Sequence, residues 1–89
     1  MRYTINKLNA MVDMANELFP AEKRTFVIKR RGSDCYGKNT TQVVAKYSGG
    51  AEADLTSWGS PREAAAGFYG QLKCISHDAD KLDEIGKFI

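Results

Sequence analysis

His77 is the one histidine in the chain, so imidazole-assisted catalysis would have to pass through it. Its nucleophile would be Cys35 or Cys74, and Asp78 or Asp80 would orient the ring. Nothing in the spacing selects that trio. Cys74-x-x-His77 followed by Asp78 supplies metal-binding atom types in a short stretch. A closed structural zinc site, however, takes its ligands from paired motifs, and only Cys35 is left to add to this group. The glycines flanking Cys35, Gly32 and Gly37, lack the Gly-Lys-Ser/Thr ending and helix start of a phosphate loop. Asp80, Asp83 and Glu84 sit among Lys81 and Lys87, the ordinary composition of a solvated helix face. These residues predict no catalytic site, no metal site and no cofactor. The expectation is a protein that binds rather than an enzyme.

Charge offers a more definite lead, because the overall +2 is unevenly spread. Residues 23 to 46 hold Lys23, Arg24, Lys29, Arg30, Arg31, Lys38 and Lys46 against Asp34 alone, a local balance of +6. The remaining residues balance to −4. A basic region of this kind attracts phosphates or an acidic protein surface, and lysines and arginines also protect sheet edges from aggregation. Tyr36 lies in the glycine-flanked segment between the basic stretches, with little core to join. In an alternating strand Phe26 and Ile28 make the better core pair, which turns Lys29 and Arg31 outward. Lys29, Arg31, Tyr36, Lys38 and Lys46 are therefore the candidate partner-binding residues. Trp58, just before Gly59 and Ser60, either seals a corner between sheet and helix, the favoured reading, or anchors a partner.

Positioning those residues requires a sheet backed by helices. Ile5, Leu8, Met11, Val12, Ala15, Leu18 and Phe19 recur at helical spacing up to Pro20, predicting a helix over 4–19. Residues 25–31 and 40–47 are rich in β-branched and aromatic side chains and read as strands, joined by a 32–39 loop that projects from the sheet. Ser48-Gly49-Gly50 turns the chain into a weaker third strand at 51–57, expected at an edge. Ser60-Pro61-Arg62-Glu63 carries a serine N-cap, a proline at the first helical position and the glutamate of a capping box. In the helix that follows, Ala65, Phe68, Leu72 and Ile75 form the apolar face. Cys74 is expected to be buried, and Gly67 and Gly70 to have a packing reason. A short helix begun by Asp78 carries Leu82, Ile85 and Ile89.

The order helix, strand, strand, strand, helix, short helix predicts an α+β fold, a two-layer sandwich with helices covering one face of a three-stranded antiparallel sheet. Its 89 residues make a single domain, 1–89, with one core. No apolar run reaches the length of a membrane span, and the N-terminal residues lack the apolar core of a secretion signal. A cytoplasmic location with reduced thiols is the expectation.

The element order resembles the double-stranded-RNA-binding domain over roughly residues 4 to 75, most closely at Gly59-Ser60-Pro61-Arg62-Glu63-Ala64-Ala65-Ala66. That resemblance implies nucleic acid as a partner. The chain departs from the family where it touches RNA: only Arg62 stands where the family has lysines, and Gly32 to Gly37 lacks the family's Gly-Pro-x-His loop. In size and organisation the chain is also similar to phage-encoded inhibitors of host defence, notably anti-CRISPR proteins, which implies a host protein complex as partner. The functional expectation is a small non-enzymatic inhibitor that occupies a protein or nucleic-acid site of a nuclease or defence complex. Its basic sheet face and 32–39 loop would make the contact. The alternative is a nucleic-acid-binding domain.

Overall fold

The computed structural model describes residues 3–31 and 40–89. Its elements are α1 (Ile5–Leu18), β1 (Arg24–Arg31), β2 (Thr40–Tyr47), β3 (Glu52–Asp54), α2 (Pro61–Ile75) and α3 (Ala79–Gly86). The sheet is antiparallel with strand order β1-β2-β3. The predicted α+β architecture is therefore present, with β3 at an edge as expected, β1 at the other edge and β2 between them.

Each helix starts where a side-chain oxygen satisfies a backbone N–H that the helix itself cannot pair. Thr4 Oγ1 accepts from Lys7 N–H at 3.2 Å, and Asp78 Oδ1 accepts from Lys81 N–H at 3.2 Å. Ser60 forms the full capping box: its Oγ accepts from Glu63 N–H, and its own N–H donates to Glu63 Oε1, both at 3.2 Å. The β2–β3 turn is closed by Tyr47 N–H to Ala51 O at 2.9 Å and Gly50 N–H to Tyr47 O at 3.0 Å. Gly50 has a φ of +93°, a conformation that glycine alone adopts without strain.

Side-chain alternation divides the sheet into two unlike faces. Phe26 lies opposite Ala45, Ile28 opposite Val43, and Ala45 opposite Ala53. These face Leu8, Met11, Val12 and Ala15 of α1 and Ala64, Ala65, Phe68 and Leu72 of α2 in one core cluster. The Phe26 and Phe68 rings meet edge to face, 5.0 Å apart at 71°. From α3, Ile85 is fully buried and Leu82 packs against the cluster.

Three expectations about α2 and its approach are corrected. Ile75 is 53% exposed, being the last residue of the helix before the chain turns at Ser76. Cys74 is exposed, because Leu72 takes the core position on that turn. Trp58 is half-buried and stands outside the core cluster. The two interior glycines also differ. A Cβ on Gly67 would lie 3.1 Å from Thr56 Cγ2, so the helix does approach the chain closely there, whereas nothing lies within 4 Å of a Cβ on Gly70.

Asn16, near the end of α1, fastens the helix to the sheet. Its Nδ2 donates to Phe26 O at 2.9 Å, and its Oδ1 accepts from Phe26 N–H at 2.8 Å. The side-chain amide thus pairs with the outer edge of β1 as a neighbouring strand's peptide would.

Candidate partner interface

The face of the sheet turned away from the helices presents Thr25, Val27, Lys29 and Arg31 from β1, Gln42, Val44 and Lys46 from β2, and Glu52 and Asp54 from β3. Lys29, Arg31 and Lys46 are thereby brought onto one face, as the alternation predicts. Tyr36 and Lys38, with Cys35, lie outside the described residues.

Lys29 is not a free cation. Its Nζ donates to Glu52 Oε2 at 2.6 Å, an ion pair that spans from β1 to β3. Lys29 lies opposite Gln42 and Glu52 opposite Lys46, so the pair crosses over Val44, the residue between those two on the same face. Val44 has no exposed surface although none of the described helices covers it. The hydrogen bond to Glu52 raises the Lys29 pKa above its ordinary value, and the same bond lowers that of Glu52. Lys46, beside Glu52, lowers it further. Charges on this face are mixed, with Glu52 and Asp54 set among Lys29, Arg31 and Lys46.

At the far end of the face, the Arg31 guanidinium lies 4.7 Å from the centroid of the Trp58 ring. A break in the third strand brings Trp58 there. Beyond Asp54, Leu55 N–H still reaches Val43 O, but Val43 N–H is taken by the side chain Thr56 Oγ1 at 3.1 Å. Regular pairing returns only where Gly59 and Thr41 exchange bonds at 2.8 and 3.0 Å. The intervening residues bulge onto the open face, held by Gln42 Nε2 donating to Thr56 O at 2.8 Å. A cavity of about 510 Å³ opens between Gln42, Asp54, Thr56, Ser57 and Trp58.

Other cations of the basic stretch point elsewhere. Arg24 lies over the Phe26 ring at 4.6 Å and donates to Phe19 O at 3.0 Å, on the helix side. A second cluster gathers around Tyr3, with Lys7 5.0 Å and Arg62 5.9 Å from its ring beside a cavity of about 610 Å³. Burial raises the Tyr3 phenol above its ordinary pKa, and Arg62 opposes that rise. Among the described residues, no cluster of three His, Cys, Asp or Glu side chains is placed to hold a metal ion, and His77 is exposed.

Sequence reasoning did not place Glu52, Asp54 or Trp58 on this face. The parity of the first two follows once β3 is paired with β2, because Glu52 and Asp54 are two residues apart. The position of Trp58 depends on a bulge that composition does not announce. No family model, curated protein or solved structure matches the chain.

Proposed function

We propose that this protein is a non-catalytic binder that acts by seating the open face of its sheet on another protein. The observation that carries this reading is the Arg31–Trp58 pair, a half-buried tryptophan under a guanidinium and beside a cavity, on a face that none of the described helices covers. Tryptophan and arginine are the residue types most enriched among energetic hot spots of interfaces. A protein fits the face better than a nucleic acid does, because Glu52 and Asp54 interrupt the positive charge and Glu52 already holds Lys29. The narrower form of the proposal is an inhibitor that covers a working surface of a nuclease or defence complex. It rests on the similarity in size and organisation to such inhibitors.

The test is affinity capture from a host lysate, with and without nuclease, by the wild-type chain and by Trp58→Ala and Arg31→Glu variants of unchanged thermal stability. A stoichiometric protein that survives nuclease and is lost with either variant supports the proposal. Capture that disappears with nuclease, or that ignores both substitutions, overturns it.

A further inference from the structure

The outer edge of β1 is only partly closed. Phe26 turns its N–H and C=O away from β2, since both bond the Asn16 side chain. In an antiparallel strand the backbone groups of alternate residues point to the same side, so Ile28 and Arg30 present their N–H and C=O on that edge too. Val27, Lys29 and Arg31 point theirs toward β2. Among the described residues nothing bonds the outward groups of Ile28 or Arg30, so the edge is closed at Phe26 and open beyond it.

We infer that this open half of β1 accepts an extended, acidic segment of a partner protein as an added strand. Main-chain bonds to Ile28 and Arg30 supply the pairing, in the way that exposed sheet edges take up peptides. Side chains supply the selection. Arg30 is exposed on one side of the strand and Arg31 on the other, so acids on both faces of an incoming strand meet a guanidinium. The same charges argue against a second copy of this chain as the occupant. β1 carries Arg24, Lys29, Arg30 and Arg31 and no acid, and like charges placed opposite one another destabilise a strand pair. Asn16 shows the edge already accepting one amide in strand-like geometry, and it sets the limit of the open region. The inference does not require the open face to be a contact surface, because its essential atoms are backbone groups at the rim of the sheet.

The experiment uses the full chain and a capped peptide of alternating glutamate and valine, followed through backbone amide resonances. Saturable shifts centred on Ile28 and Arg30 are expected, with a lysine-valine peptide binding about tenfold more weakly or worse. Arg30→Pro removes an outward N–H at an edge position that tolerates proline, and it should abolish those shifts while the Phe68 and Val44 resonances stay in place. Should Arg30→Pro fail to fold, Arg30→Glu keeps the N–H and should reverse the preference between the peptides. Shifts centred elsewhere, equal binding of both peptides by the wild-type chain, or insensitivity to these substitutions would overturn the inference. So would concentration-dependent shifts of Ile28 and Arg30 without peptide, which would identify a second copy as the occupant.

Discussion

Gly67 and Gly70 are three residues apart in the interior of α2, yet alanine should stabilise the protein at Gly70 and give no gain at Gly67. Relieving an interior helix glycine gains about 0.5–1 kcal/mol, chiefly through lost freedom of the unfolded chain. At Gly70 nothing stands within 4 Å of the added methyl, so Gly70→Ala should realise that gain in full. For a domain of this size it corresponds to a rise in Tm of roughly 2–8 °C. At Gly67 the methyl would meet Thr56 Cγ2 at 3.1 Å and Cβ at 3.4 Å. Thr56 has little freedom to retreat, since its Oγ1 accepts from Val43 N–H and donates to Ser57 O. An overpacking cost of about 1–3 kcal/mol then offsets the helix gain and leaves Gly67→Ala neutral or destabilised by up to about 2.5 kcal/mol. Thr56→Ser removes the obstructing methyl and keeps the hydroxyl, so Gly67→Ala added to Thr56→Ser should recover the full helix gain. Urea midpoints at constant m-value measure all four variants. Equal stabilisation by both glycine substitutions would refute the Thr56 contact, and a loss at Gly70 would refute the open space assigned to it.

The capping box makes Ser60→Ala destabilising by about 1 kcal/mol, read as a lower urea midpoint, whereas Cys74→Ala, on an exposed surface, should stay within about 0.5 kcal/mol. Asn16→Ala strips partners from both backbone groups of Phe26, and a loss of about 1–3 kcal/mol is expected together with faster exchange of the Phe26 amide. The Glu52 carboxyl, lowered by its bond from Lys29, should titrate below the ordinary glutamate range in a carbon-detected NMR titration and return toward it in Lys29→Met. Any stability the pair contributes is present above the ordinary glutamate pKa and fades as pH falls through the lowered one. At the alkaline end it persists until pH rises through the raised pKa of Lys29.

What the residues disclosed in advance was mostly what they decide locally. The caps at Ser60 and Asp78 are set by neighbours three residues on, and Pro20 bounds the end of α1, whereas Thr4, counted into the predicted 4–19 helix, is its cap. β2 was legible to the residue, since Thr40–Tyr47 is bounded by turn formers and rich in β-branched side chains. Long-range pairing was not legible in the same way. Alternation turned Lys29 and Arg31 outward in advance, yet it did not disclose that Glu52 claims Lys29 or that Arg24 lies over Phe26 on the helix side. β3 is shorter than the 51–57 expected, because Thr56 uses its hydroxyl where a strand would use its backbone. Periodicity also placed Ile75 on the stripe of Phe68 and Leu72 without revealing that the helix ends there, with its side chain about half exposed.

The amide clamp between Asn16 and Phe26 bears on how the chain finds its fold. Its partners are ten residues apart, while the Phe26–Phe68 contact at the centre of the core joins residues 42 apart by their numbering. Closing the longer loop costs about 1 kcal/mol more in chain entropy. The α1–β1 corner is therefore a cheap early contact, made with both edge groups of Phe26 already paired, and it offers β2 a straightened template before α2 arrives. Substitutions at Asn16 should accordingly slow refolding more than they speed unfolding, while those at Phe68 should do the reverse.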